Sequence, residues 1–150
     1  MYRFGQLSIE RMNGVDKSLI EVAMRALRKS ARRHDGGIDF AIPVHGGKRS
    51  AEEQNELFKK GVSKADGFNK PSYHQTGLAI DVIPYVTRAG IKGNAIYSKK
   101  INAKQRTAYF NIVAVCMLQA ASELGVKLSW GGNFQSFNDM PHYQIPKEGS

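Results

Sequence analysis

A single cysteine, Cys116, occurs in the 150 residues. One thiol excludes an internal disulfide and a zinc cage built from thiolates. Cys116 lies in the apolar run Ile112-Val113-Ala114-Val115-Cys116-Met117-Leu118, which reads as a helix with the thiol buried. No stretch approaches the roughly 18–20 apolar residues that cross a bilayer, so no transmembrane segment is expected. Met1-Tyr2-Arg3-Phe4-Gly5-Gln6 lacks the apolar run of a secretory signal. The chain is therefore expected to start in the cytoplasm and to reach any outside target by another export route. Neither a repeat nor a domain-dividing linker is present, which leaves one domain over residues 1–150, long enough to bury a real core. Negative charge is scarce, with 13 Asp and Glu against 22 Lys and Arg, a net charge of +9. Such a surplus suits an anionic partner: nucleic acid, a membrane surface or an acidic wall polymer. The cations are scattered, with short clusters only at Arg28-Lys29 and Arg32-Arg33, and no nucleic-acid-binding motif accompanies them. Nucleic acid is not an expected partner.

Apolar periodicity outlines the elements. Leu19, Val22, Ala23, Ala26, Leu27 and Ala31 share one face of a helix expected from about Asp16 to His34. Asp16 or Ser18 can cap it, and Ser18 with Glu21 has capping-box spacing. Arg32, Arg33 and His34 suit the negative end of its dipole, and Gly36-Gly37 stops it. Ile38, Phe40, Ile42 and Val44 alternate with polar or small residues as a strand, which Pro43 places at an edge or an end. His45-Gly46-Gly47-Lys48 is a turn, and Ser50-Ala51-Glu52-Glu53 is a capping box opening a short helix that closes at Gly61. A polar, glycine-rich loop runs on to Pro71. Leu78 to Ile83 reads as a second strand, with Leu78, Ile80 and Val82 on one face and Asp81 on the other. After a polar stretch from about Thr87 to Lys100, the longest helix spans about Asn102 to Leu124 and ends at Gly125. Val126, Leu128 and Trp130 alternate as a third strand, and His142 to Ile145 is a short fourth. Helices and strands mixed without regular alternation favour a single α+β domain.

The residues that can carry chemistry lie in two segments. In Ser72-Tyr73-His74-Gln75-Thr76-Gly77-Leu78-Ala79-Ile80-Asp81, seven positions separate His74 from Asp81. On one helix they would lie about 10 Å apart along the axis, too far for ligands each about 2 Å from one zinc ion. They converge only if the chain reverses between them, and Thr76-Gly77 supplies the turn. In Asn138-Asp139-Met140-Pro141-His142-Tyr143-Gln144, a strand would point Tyr143 and Ile145 at the core and His142 and Gln144 the other way. Two His and one Asp make three ligands with a fourth position open, the pattern of a catalytic zinc site. Asp139, outside that set, suits a group that takes a proton from water and returns it to a leaving amine. Arg49 could bind a substrate carboxylate or steady an oxyanion. By spacing alone these remain open: a His and an Asp seven apart arise by chance, and Asp139-Met140-Pro141 also reads as a plain turn.

Taken together, Ser72-x-His74-x-x-Gly77-x-Ala79-x-Asp81 and the later Asp139-x-Pro141-His142 resemble the zinc D-alanyl-D-alanine peptidases of the vancomycin-resistance type. The whole chain is more similar to short phage endolysins that act as L-alanyl-D-glutamate peptidases. The likeness takes in Tyr2-Arg3-Phe4, Ser8, Gly14-Val15, Leu19 to Leu27, Arg49-Ser50-x-Glu52-x-Gln54 and Leu57-Phe58-x-x-Gly61. It continues through Leu124-Gly125-Val126, Trp130-Gly131-Gly132, Phe137 and Pro141-His142-Tyr143-Gln144. The segment Val44 to Lys48 and the loop from Gly61 to Pro71 are longer than the family pattern.

The resemblance implies a hedgehog/DD-peptidase-like fold, helices on a small, mainly antiparallel sheet. It implies one zinc ion (Zn2+) held by His74, Asp81 and His142, with Asp139 as general base and Arg49 in an electrostatic role. Ser72 matches a position near the substrate, and Gln54 one that supports Arg49 or touches substrate. The implied activity is cleavage of the peptidoglycan stem peptide at L-Ala–D-Glu during phage-driven host lysis, by a monomer released from the host cytoplasm through a phage membrane pore. The rivals are a D-Ala-D-Ala carboxypeptidase and a zinc-containing wall-binding module without catalysis. A muramidase using Glu52, Glu53 and Glu56 has less support, because those residues read as the cap and solvated face of one helix turn.

Overall fold

A computed structural model describes residues 2–86, 95–135 and 138–147. Its helices are α1 (Gln6–Arg11), α2 (Lys17–Ala31), α3 (Ala51–Lys59) and α4 (Ala103–Leu124). The strands are β1 (Asp39–Ala41), β2 (Ala79–Asp81), β3 (Ile83–Tyr85), β4 (Ser129–Trp130) and β5 (His142–Gln144). Helices and small antiparallel sheets thus combine in an α+β fold.

The helix ends follow local chemistry. Asp16, not Ser18, caps α2 by accepting from the Ser18 N–H, so the Ser18–Glu21 box does not form. The helix stops at Ala31, earlier than expected, and His34 lies beyond it. Gly37 (φ +58) then folds the chain against Ser30, whose hydroxyl bonds both the N–H and the carbonyl of Ile38. Reciprocal capping boxes open α3 (Ser50 with Glu53) and α4 (Asn102 with Gln105), and Gly125 (φ +69) closes α4.

The core lies between α2 and α4 and the sheets. Leu19, Val22, Ala23, Ala26 and Leu27 of α2 join Phe110, Val113, Ala114, Met117 and Ala121 of α4 and the strand residues Phe40, Ile80, Ile83 and Tyr143. Glu123 ties the two helices at the surface through Arg25 and Lys29. The 22-residue α4 is long and apolar enough to cross a membrane by length and composition, closer to a span than sequence reasoning allowed. Its buried face packs on α2, however, which makes it a core helix. Cys116 is buried on that helix, as expected.

The strands differ from expectation in one instructive way. The run from Leu78 to Ile83 is not one strand of one sheet. Residues 79–81 pair with β5 in a sheet of order β2-β5-β4, while residues 83–85 pair with β1 in a separate two-stranded sheet. Val82 is the switch point, donating its N–H to the Pro141 carbonyl. Both faces of this run are covered, since Ala79 and Ile83 are as buried as Ile80 and Val82. The third strand is shorter than expected, covering Ser129–Trp130 only. Val44, expected to continue the apolar face of β1, is exposed. α1 was not expected at all. Most of the polar stretch and Phe137 of the family likeness fall outside the described residues, but the stretch ends in a 3-10 turn, Ala95–Tyr97.

Candidate metal centre

His74 sits in a 3-10 turn, Tyr73–Thr76, capped by the Ser72 hydroxyl, which accepts from the His74 N–H. The chain then reverses at Gly77 (φ +76), where a Cβ would lie 2.5 Å from the Gly14 carbonyl oxygen. That reversal is the turn required between His74 and Asp81. β2 delivers Asp81 directly opposite His142 of β5 in the antiparallel register, so the two side chains are cross-strand neighbours.

The three groups converge. Asp81 Oδ1 lies 3.2 Å from His74 Nε2 and 3.3 Å from His142 Nδ1. The two ring nitrogens are 3.2 Å apart. Tautomers follow from the far side of each ring. His74 Nδ1 is 2.9 Å from the Gly47 carbonyl and His142 Nε2 is 2.8 Å from Gln144 Oε1. Both of those oxygens only accept, so each ring places its proton there and turns a lone pair inward. Asp81 Oδ1 is buried with no hydrogen-bond donor. Three acceptors facing one another in a buried space repel unless positive charge lies among them. Ligands about 2.0–2.1 Å from a tetrahedral zinc would be separated by about 3.3–3.4 Å, close to the spacing found. The donor set therefore fits a divalent cation, and His74, Asp81 and His142 form a cluster that could hold one.

Electrostatics agree. Burial pushes the Asp81 carboxyl up, but positive charge placed at His74 and His142 outweighs it and holds the group well below the usual carboxylate range. Burial likewise lowers the His142 ring, and the Asp81 carboxylate more than reverses that. Asp139 stands just outside, its Oδ2 4.0 Å from His142 Nδ1. Burial first, and then the Asp81 charge, raise its carboxyl above the ordinary value. Its loop is pinned by the Asp139 N–H to the Gly131 carbonyl (2.9 Å) and by Trp130 Nε1–H to the Met140 carbonyl (2.7 Å). A Cβ at Gly131 would lie 2.2 Å from the Asp139 carbonyl oxygen, so that loop needs glycine beneath it.

The segment from His45 to Arg49 brackets the whole centre through its backbone. The Gly46 carbonyl accepts the Asp81 N–H at 2.7 Å and the Gly47 carbonyl accepts His74 Nδ1. The Arg49 N–H donates to the His74 carbonyl at 3.0 Å. A Cβ at Gly47 would sit 1.8 Å from the Arg11 carbonyl oxygen, which reserves that position for glycine. His45 takes φ +61, the one non-glycine residue with positive φ among the described residues.

Arg49 is at the site but already engaged. Its Nε donates to the His45 carbonyl (2.7 Å), one terminal nitrogen to Gln54 Oε1 (2.9 Å) and the other to Asp81 Oδ2 (3.2 Å). It thus fixes which carboxylate oxygen of Asp81 faces the imidazoles. Gln54 is fully buried and holds Arg49, so of its two expected roles the supporting one matches the contacts. Ser72 lines the cleft, but its hydroxyl is spent on capping the His74 turn. None of Glu52, Glu53 and Glu56 lines the cleft, and Glu53 is taken up by the α3 cap and His45, so the muramidase reading finds no poised acid there. Gln144 was placed on the His142 face by strand alternation, yet its grip on the ring had no signal in the sequence beyond that spacing.

The centre opens into a cleft of about 490 Å³ whose walls include Val44, Leu57, Tyr73, Phe134 and the loop after α3. A sequence model of the phage L-alanyl-D-glutamate peptidase family matches residues 1–145. The chain belongs to that family. The peptidoglycan L-alanyl-D-glutamate endopeptidase CwlK of Bacillus subtilis (strain 168) is 32% identical over 114 residues, 73% of this chain and 62% of CwlK. This family member thus spans less than two thirds of that relative's length. Among solved structures, the L-Ala D-Glu endopeptidase ChiX of Serratia marcescens superposes with a TM-score of 0.69 at 28% identity, over 96% of this chain and 90% of ChiX. The vancomycin-resistance D,D-pentapeptidase VanY, solved in complex with Zn(II), shares the fold, with a TM-score of 0.52 at 15% identity over 87% of this chain and 72% of VanY.

Proposed function

We propose that this family member is a zinc-dependent peptidase that hydrolyses the L-alanyl–D-glutamate bond of the peptidoglycan stem peptide in phage-driven host lysis. The observation that carries the reading is the buried meeting of three lone-pair donors beside a carboxylate, Asp139, that belongs to none of them. His74 Nε2, His142 Nδ1 and Asp81 Oδ1 would hold the ion. Zinc, when bound, supplies a Lewis acid that polarises a carbonyl and lowers the pKa of water.

The chain's own residues supply the rest. Asp139, with its raised carboxyl at the cleft, takes the proton of the attacking water and returns it to the leaving amine. Arg49 orients Asp81, and its unused N–H groups offer positive charge to the oxygen on which negative charge develops. The surface charge of +9 favours dwelling on an anionic wall. Storage in the host cytoplasm, release through a phage membrane pore and action as a monomer complete the reading.

Asp139→Ala is expected to keep zinc and to lose at least about 100-fold in cleavage of purified peptidoglycan. Full activity in that variant would overturn the mechanism. Mass spectrometry of the wild-type digest identifies the bond. Stem peptides freed from glycan support the reading, whereas loss of terminal D-Ala alone would make the enzyme a carboxypeptidase.

A further inference from the structure

We propose that His45 is a substrate-binding residue whose ring Nε2 accepts a backbone N–H of the bound stem peptide, with Glu53 fixing its tautomer. The inference rests on the stem-peptide reading above and adds a contact which that reading does not use. His45 lines the same cleft as the metal centre, and its side chain is 41% exposed. Its φ of +61 is a conformation that glycine adopts freely and side-chain-bearing residues rarely adopt. The main-chain duty of the position, a carbonyl for Arg49 Nε, needs no side chain. Glycine does stand at the next two positions, where space demands it. A Cβ would lie 2.8 Å from Pro43 Cδ at Gly46 and 1.8 Å from the Arg11 carbonyl oxygen at Gly47. A side chain held in a strained conformation at a cleft points to a use for that side chain.

The ring is held from behind. Glu53, in the first turn of α3, accepts the Ser50 N–H on Oε1 at 3.1 Å, and its Oε2 lies 3.0 Å from His45 Nδ1. The Ser50 N–H and His45 together keep the Glu53 carboxyl below its ordinary value, so it is ionised and only accepts. His45 Nδ1 therefore carries a proton, and the lone pair of the neutral ring sits on Nε2. That nitrogen has no hydrogen-bond partner among the described residues. Because Glu53 is locked into the α3 capping box, the ring is anchored to a helix and not merely to its turn.

The cleft has a use for such an acceptor. A bound peptide brings N–H groups as well as carbonyls, and an N–H buried without a partner costs affinity. Other side-chain acceptors in the lining are already engaged. Ser72 Oγ accepts the His74 N–H, Ser63 Oγ accepts from Gln54, and the Tyr73 hydroxyl accepts the Lys147 N–H. Gln144 holds His142, Asp81 belongs to the metal centre, and Asp139 handles the proton of the attacking water. His45 Nε2 is committed to none of these tasks.

Long-range proton–nitrogen NMR of zinc-loaded Asp139→Ala, titrated with a synthetic stem peptide, reads the contact directly. The His45 Nε2 resonance should move on saturation while Nδ1 keeps its proton. Two variants test the cause. Glu53→Gln suits the same capping-box position. With its oxygen on the Ser50 N–H, its amide N–H turns to His45 Nδ1, which forces the ring proton to Nε2 and presents a donor in place of the acceptor. His45→Gly fits the backbone and removes the ring. Each should bind the peptide about three- to tenfold more weakly, and in the cleaving enzyme KM should rise while kcat is largely kept. A still Nε2 resonance, a ring protonated on both nitrogens in the complex, or wild-type affinity in both variants overturns the contact. Stem-peptide cleavage with a His45 ring blind to the peptide would sink this contact and leave the function standing; a responding ring without cleavage would do the reverse.

Discussion

Removing one exposed-side hydrogen bond should weaken the metal centre without touching a ligand. In Gln144→Leu the acceptor 2.8 Å from His142 Nε2 is lost. The ring, largely buried, then has no partner for an Nε2 proton, whereas its other nitrogen lies 3.3 Å from the donorless Asp81 Oδ1. The proton should move to Nδ1 and bridge that gap. A metal must now displace it. Losing such an outer partner of a histidine ligand typically costs 10- to 100-fold in metal affinity, about 1.4–2.7 kcal/mol. The metal-free protein, by contrast, gains a satisfied carboxylate, so its urea midpoint should stay level or rise. Competition titration against a chromophoric chelator reads the affinity, and long-range proton–nitrogen NMR reads the His142 tautomer. Wild-type zinc affinity together with a proton still on Nε2 would refute the claim that Gln144 sets the ring.

Gly47→Ala forces a Cβ to within 1.8 Å of the Arg11 carbonyl oxygen. The shift needed to relieve it should pull the Gly47 carbonyl off His74 and lower zinc affinity about 10-fold or more by the same titration; unchanged affinity would show that the loop does not hold His74. Tyr143 is fully buried and its hydroxyl finds no hydrogen-bond partner among the described residues, so Tyr143→Phe should leave stability level or raise it by up to about 1 kcal/mol in urea unfolding. A loss above about 1 kcal/mol would reveal a bond to that hydroxyl. Asp35 is held down to about 2 from 3.8 by Arg33 and the Gly37 N–H. A depressed carboxyl stabilises above its unfolded value and loses that contribution as pH falls through the folded one. Wild type should therefore melt above Asp35→Asn near neutrality, with the gap closing between about pH 4 and 2; a constant gap would discount the titration.

Legibility from the sequence tracked how local the cause was. The Ser50 capping box and the Gly77 reversal depend on neighbours within a few residues, and spacing reveals them. The facing of Asp81 and His142 was legible because a strand alternates with period two. α1 was not, because Leu7 and Ile9 are exposed and only Ser8 is buried. Its anchor is a distant bond, the Ile42 N–H to Ser8 Oγ. The break at Val82 was hidden for a similar reason: both halves are apolar, and only their different partners, β5 and β1, divide them.

The metal centre shows why motif reading captures ligands better than their supports. His74 and His142 are 68 positions apart, yet their lone pairs must meet within a few tenths of an ångström. Side-chain identity specifies the ligands, and a sequence displays that. The His74 ring takes its orientation from the Gly47 carbonyl and the Asp81 backbone is held by that of Gly46, main-chain groups which every residue possesses. What the sequence does display there is glycine, where a side chain could not fit. The turn before Arg49 is the piece that places it: His45 supplies the carbonyl for its Nε, and His74 the carbonyl for its N–H. Arg49 then passes that order on, to Asp81 at one end of its fork and through Gln54 to the loop after α3 at the other. The loop after α3 and the candidate metal centre thus share a single brace.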